Sequence, residues 1–431
     1  MSSPRPPLAA DSLAHALRHV ARVIAAVIGG RNLDVALAAE KVAPAERPLV
    51  MDLAYATLRR YGRGDLFLDS LLARPLADAR VRGLLLAALY RVEARPDDVH
   101  TTVDQAVAAA AVWGGGRFKG LVNAVLRNFQ RRRDALLAAV ADHPTALWQH
   151  PAWWIDALQR AYPQRWQAIL TAGNTHPPMT LRVNARRSDV AAYQDRLRAA
   201  GIETRWLGDR ALLLERAVAV GRLPGFFDGD CSIQDWGAQH AAPLLDAQSG
   251  MRVLDACAAP GGKTAHLLET VPALELLALD AEAARAQRIE DNLGRLHLRA
   301  AVKVADCRDV AAWWDGRPFE RILADVPCSA SGVVRRHPDV KWLRRADDVS
   351  RFAATQREIL DALWPLLAPG GKMLYCTCSL FPEENAQQVA AFASRHPDVR
   401  RLATGGPDNE LHLTPCAEHD GFFYALLGKS A

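Results

Sequence analysis

The sequence predicts an α/β protein whose C-terminal half is a mostly parallel sheet with helices on both faces. Three observations carry that expectation. Apolar runs at Met251–Ala256, Leu274–Asp280, Ala300–Ala305, Phe319–Ala324 and Lys372–Thr377 alternate with helical patterns, the rhythm of βαβ units. The first run leads into Ala258-Ala259-Pro260-Gly261-Gly262-Lys263-Thr264, a glycine-bearing turn of the kind that joins a strand to a helix. Upstream, from about residue 11 to 140, apolar residues recur at three-to-four spacing, as helices require.

Length and composition frame the elements. A chain of 431 residues exceeds the ~250–300 residues that one core supports, so two or three domains are expected. We expect an all-helical domain at 1–145, a linker and small α/β subdomain at 146–240, and a sheet domain at 241–431. The helical stretches are Leu13 to Val27, Leu49 to Leu58, Val81 to Tyr90 and Val103 to Val112. In Phe118 to Leu137 an apolar stripe (Leu121, Val122, Val125, Leu126, Phe129) is flanked by Arg127 and Arg131 to Arg133. A helix of that kind buries one face and can lay arginines on phosphates; a solvated arginine face is the alternative. A tryptophan-rich stretch, Leu147 to Trp166, is expected to pack between domains. Pro177-Pro178 then breaks the chain, and residues 180–245 alternate short strand-like and helical stretches.

The net charge of +5 is unevenly spread. Residues 1–150 carry 20 Lys/Arg against 14 Asp/Glu, and the remainder carry 33 against 34. A basic N-terminal third suits a polyanion, although arginine-rich composition alone produces the same excess. Seven irregularly spaced cysteines do not form a disulfide framework, which fits a reducing cytoplasm. No apolar run reaches the ~18 residues of a membrane span. Met1 to Ala10 has three prolines and no apolar core, so no secretory leader is expected there.

The glycine turn nearly matches a phosphate-binding loop. Gly262-Lys263-Thr264 fits its end, but Cys257 replaces the first glycine. Asp280 and Asp306 instead end the next two apolar runs, where carboxylates bind ribose hydroxyls. That acidic array suits an adenosine with free hydroxyls and would repel a triphosphate. Each aspartate taken alone can equally be a turn or cap residue.

Two cysteines end consecutive strands, in Asp325-Val326-Pro327-Cys328-Ser329 and Tyr375-Cys376-Thr377-Cys378-Ser379. On neighbouring strands, ~4.8 Å apart, both thiols could reach one base. Cytosine C5 is a poor nucleophile. A thiolate added at C6 turns the ring into an enamine that attacks an activated methyl group. Asp325 could hold the base edge or move protons. Cys376 is expected to point away into the core, and Cys231, Cys257, Cys307 and Cys416 to behave as small buried hydrophobes. A zinc site at Cys376 and Cys378 would need a second ligand pair that the sequence does not supply.

Taken together, these residues resemble the RNA cytosine-5 methyltransferases of the RsmB (Sun/Fmu) type. The resemblance rests on Asp255 through Thr264, on Asp325 to Ser329 with Arg335-Arg336-His337-Pro338-Asp339, and on Tyr375 to Ser379. It extends to Ile233-Gln234-Asp235 and Asp420-Gly421-Phe422-Phe423-Tyr424. Gly120-Leu121-Val122-Asn123-Ala124-Val125-Leu126-Arg127 resembles the NusB-like RNA-binding domain of that group. It implies a class I methyltransferase fold with a seven-stranded sheet, S-adenosyl methionine as cofactor, 16S rRNA as partner and no obligate protein partner, hence a monomer. Cys378 would be the nucleophile, and Cys328 would assist product release. Asp325 and Lys263 would contact the base. The loop Cys257, Ala258, Ala259, Pro260, Gly261, Gly262 and Lys263 would hold the methionine end, Asp280 the ribose and Asp306 the adenine side, with Asp325 closing the cofactor set. Val326, Ser331, Gly237 and Cys376 stand where alanine, threonine, serine and a small residue are usual, and Val326 is expected to tighten the base pocket. Arg117, Lys119, Arg127 and Arg131 to Arg133 are expected to provide RNA affinity, and Arg335, Arg336, Lys341, Arg344 and Arg345 to form a second basic cluster beside the catalytic loop that grips the strand. Two other readings stand beside this one: a nucleotidase, and an RNA-binding protein without catalysis.

Overall fold

The computed structural model describes residues 12–430. The leader expectation for Met1 to Ala10 lies outside them. The chain forms two compact units, one reaching Thr175 and including Val334–Arg345, the other made of His176–Val333 and Ala346 onward.

The first unit is helical. Helices Leu13–Ile28, Arg47–Arg59, Ala79–Ala94 and Val99–Ala110 stand where the three-to-four spacing put them. Ser12 caps the first, its side chain accepting from the His15 N–H. Two further helices, Leu33–Ala39 and Tyr61–Leu71, escaped the pattern. The second contains Gly62 and Gly64, poor helix formers, and Gly62 lies against the Thr145 carbonyl, where a Cβ would sit at 2.8 Å. Helix Lys119–Val140 buries Val122, Val125, Leu126 and Phe129 and exposes Arg127 and Arg131 to Arg133, as its amphipathic pattern requires. The tryptophan-rich stretch packs on itself, Trp148 against Trp166 at 5.0 Å, with Trp154 fully buried.

Val334–Arg345 is held within this unit by specific bonds. Asp339 Oδ2 accepts from the Leu33 N–H (2.9 Å), Trp342 Nε1 donates to the Leu58 carbonyl (2.8 Å), and Arg59 Nη2 donates to the Arg335 carbonyl (3.0 Å). This corrects one expectation. Lys341 is wholly buried with Nζ on Asn174 Oδ1 at 2.6 Å, and Arg335 is 2% exposed. Burial, with Arg59 and Arg60 nearby, pushes the Lys341 pKa well down. Two of the five supposed phosphate-gripping residues are therefore core residues.

The second unit contains two sheets. The smaller is antiparallel, from strands β1 (Thr180–Val183), β2 (Thr204–Gly208), β3 (Ala211–Leu214) and β4 (Cys231–Ile233), in the order β2-β3-β1-β4. Helix Val190–Ala199 packs on it through Tyr193 and Leu197. The larger comprises β5 (Arg252–Asp255), β6 (Glu275–Asp280), β7 (Ala301–Val304), β8 (Phe319–Asp325), β9 (Leu367–Thr377), β10 (Val399–Leu402), β11 (Glu410–Leu413) and β12 (Phe422–Lys429). Seven run in the order β10-β12-β9-β8-β5-β6-β7, and β11 adds an eighth by pairing with β12. The five strands from β9 to β7 are mutually parallel; β12 runs antiparallel to β9, and β10 antiparallel to β12. Apolar cores lie on both faces, as parallel sheets require. The direction of winding reverses between β5 and β8, the crest position at which open α/β sheets bind ligands.

Candidate active site

All five parallel strands deliver acids or thiols to the same crest. Asp255 ends β5, Asp280 ends β6, Asp306 follows β7, Asp325 ends β8, and Cys378 follows β9. The βαβ rhythm guarantees this, because parallel strands share one C-terminal edge.

The turn after β5 is tight. Gly261 has φ 91°, a left-handed conformation, and a Cβ there would stand 3.1 Å from the Ile289 backbone. Helix Gly262–Thr270 begins immediately afterwards and turns its N-terminal amides toward the crest. Ala258 N–H donates to the Leu279 carbonyl (2.8 Å) and Ala259 N–H to Asp280 Oδ2 (3.3 Å), tying the loop to β6. Asp280 also accepts from the Glu282 N–H, and Asp306 accepts from Arg308 through both backbone and guanidinium. Both aspartates thus serve local turns as well as facing the crest. The Cys257 thiol is hydrogen-bonded to Cys307, so its backbone is what it offers the loop.

Lys263 Nζ reaches Asp325 Oδ2 at 2.5 Å. Burial opposes its charge, but Asp325 with neighbouring Cys376 and Tyr424 holds the Lys263 pKa well above its usual value. Asp255 is fully buried; Thr264 Oγ1 donates to its Oδ2 (2.6 Å), while Oδ1 has no partner among the described residues. Burial, reinforced by the charges of Asp325 and Asp280 against that hydrogen bond, pushes its pKa up to about 7. Arg285 lies 3.4 Å from Asp280, as Lys263 lies on Asp325 and Arg308 on Asp306, so the crest is lined by carboxylates that each carry a cationic partner.

The two thiols meet. Asp325 on β8 is in register with Cys376 on β9, and just beyond that pair Cys328 Sγ and Cys378 Sγ lie 3.4 Å apart, both half-buried. The hydrogen bond with Cys378, then burial, raises the Cys328 pKa well above that of a free thiol. Cys376 does not turn away as expected: it is buried, but its Sγ lies 3.4 Å from Asp325 Oδ1. Residues two apart share a strand face, so Cys376 follows Cys378 toward Asp325. Cys416 is exposed, also against expectation. Val326 is 4% exposed and belongs to the core cluster.

What holds the thiols together is visible only in the folded chain. Ser329 and Ser379, the residues after each cysteine, share a hydrogen bond at 3.1 Å, and Ser331 joins both. Beneath them Glu384 is wholly buried. Its Oε1 accepts from the Ser329 N–H (2.8 Å) and Gln356 Nε2 (3.1 Å), and its Oε2 accepts from Ser379 Oγ. Gln356 also donates to the Pro327 carbonyl at 3.0 Å. One carboxylate therefore fixes both cysteine loops. In the sequence Glu384 reads only as an acid ahead of helix Ala386–Arg395. Glu384→Ala should destabilise the protein by about 3 kcal/mol, as loss of a buried charged acceptor does, and lower kcat more than the cofactor KM; thermal melting and steady-state assays check both.

A glycine turn after β5, with carboxylates at the ends of the neighbouring parallel strands, defines a class I methyltransferase. The comparisons place it further. The profile described as 16S rRNA methyltransferase RsmB/F matches residues 242–428, its ferredoxin-like domain 150–221 and the NusB family 14–131. Ribosomal RNA small subunit methyltransferase B of Pseudomonas putida is 45% identical over 95% of this chain and 98% of its own; that of Vibrio cholerae is 42% identical over 93% and 94%. The crystal structure of PH0851 shares the fold, with a TM-score of 0.80 at 21% identity over 97% of this chain and 99% of its own. The chain belongs to the RsmB/F family of 16S rRNA methyltransferases. It is an rRNA methyltransferase that uses S-adenosyl methionine, and the glycine turn with strand-end carboxylates fits that donor.

Proposed function

We propose that the enzyme methylates C5 of one cytosine in 16S rRNA through a covalent Cys378–C6 bond. The observation that carries this reading is the 3.4 Å approach of Cys328 and Cys378 beside the Lys263–Asp325 pair. Cys378 Sγ adds to C6, and the Lys263–Asp325 pair steadies the pyrimidine edge as charge builds on the ring. Bound S-adenosyl methionine supplies the methyl group that the activated C5 takes. Cys328 then assists removal of the C5 proton, and the C6–S bond breaks to free the product and restore Cys378. The loop at 257–263 holds the methionine end, Asp280 the ribose and Asp306 the adenine side.

The exposed arginines of helix Lys119–Val140 carry RNA affinity, within a domain spanning 1–145 and working in the cytoplasm. Among the described residues no helix is long and apolar enough to cross a membrane. The test is labelled methyl transfer to small-subunit rRNA lacking its modifications, followed by mapping of the product. A single 5-methylcytosine is expected. A label on a cytosine nitrogen, on ribose or on another base refutes the reading, because such acceptors need no thiol addition.

A further inference from the structure

We infer that Arg182 is a positioning residue that sets the geometry of the cofactor loop from the neighbouring small sheet. Arg182 sits in the middle of β1, and its side chain is wholly buried. Nothing in the methyl-transfer reading uses it, yet every polar atom of its guanidinium is engaged. Nε and Nη2 form a fork on Glu269, at 2.9 and 2.8 Å, in the helix that follows the cofactor turn. Nη1 donates to the Gly262 carbonyl at 2.9 Å and to the Gln234 side-chain carbonyl. Gly262 is the first residue of that helix, so this bond fixes the point at which the turn becomes helix.

The same contacts give a purpose to two sequence motifs that catalysis leaves unexplained. Gln234 belongs to Ile233-Gln234-Asp235. Its N–H donates to the Thr180 carbonyl, and its side-chain amide lies 3.7 Å from where a Gly262 Cβ would be. Asp235 accepts from the N–H groups of Gly237 and Asp420. That brings in the closing Asp420-Gly421-Phe422-Phe423-Tyr424, and Tyr424 donates to the Gly237 carbonyl at 2.7 Å. A Cβ at Gly237 would stand 2.5 Å from the Phe422 ring. A lysine could keep the charge beside Glu269 but has no second arm to reach Gly262 and Gln234.

The inference rests on the cofactor loop alone and does not depend on which base is methylated. The test measures the dissociation constant for S-adenosyl methionine by calorimetry without RNA, alongside the melting temperature. Arg182→Lys should weaken cofactor binding at least tenfold. Leu197→Ala, in the core of the small sheet away from the loop, lowers the melting temperature as a control and should leave cofactor affinity within twofold of the unmodified chain. Gln234→Leu removes one acceptor without touching the ion pair, should weaken binding at least threefold, and serves if Arg182→Lys does not fold. Unchanged affinity in the folded Arg182 or Gln234 variant overturns the inference. So does an equal loss in Leu197→Ala, which would mean that the loop merely follows overall stability.

Discussion

Cys378→Ala should lower methyl transfer to rRNA by at least ~10⁴-fold and leave no RNA–protein adduct on denaturing gels. The size of the effect follows from the chemistry. Without a sulfur bond at C6, C5 of cytosine has no electron density to offer a sulfonium methyl, so no slower version of the same path remains. Half-burial of Cys378 leaves its sulfur reachable by an extruded base. The substitution removes one sulfur from a loop held mainly by Ser329, Ser379 and Glu384, so the fold and cofactor binding should persist. Calorimetry with S-adenosyl methionine separates loss of chemistry from loss of structure. Appreciable turnover by this variant would reject the assignment of the nucleophile, and the neighbouring thiol of Cys328 would take its place.

Much of this site is legible in the sequence because its logic is local to strand ends. A βαβ rhythm makes strands parallel, parallel strands share a C-terminal edge, and any residue just past each strand then faces one crevice. That reasoning places Cys378, Cys328, Asp325, Asp280, Asp306 and the glycine turn together without a coordinate. Strand β12 was harder: Phe422–Lys429, enclosed between β9 and β10 with both faces covered, shows no alternation and reads like a buried helix segment. The supporting residues were harder still. Glu384 and Arg182 act on partners dozens of residues away, and such pairings exist only once the sheets have formed. Arg182 did leave a trace, as a charge set between Leu181 and Val183 in an otherwise apolar strand. Lys341 and Arg335 show the reverse failure. Charge in a motif suggested an RNA contact, but the segment folds into the helical unit, where those side chains are enclosed.

Cys328→Ala should do something different from Cys378→Ala: trap the enzyme on its substrate. Incubated with S-adenosyl methionine and rRNA, this variant should accumulate a covalent adduct approaching one per enzyme while turnover falls by about 10²–10⁴-fold, the usual scale for losing a proton-transfer group. The reason lies in the sulfur pair. The hydrogen bond with Cys378, together with burial, raises the Cys328 pKa in the resting protein. Once Cys378 sulfur is bonded to C6, it can no longer carry negative charge beside Cys328. That part of the penalty on ionising Cys328 is then relieved, while burial and the nearby Glu384 continue to oppose it. Alanine at 328 leaves addition and methylation intact but strands the methylated ring on sulfur. Gel-shifted protein that carries methyl label from the cofactor is the expected result. A variant that turns over normally, or that shows no adduct, assigns C5 proton removal to another group, with Asp325 the nearest candidate.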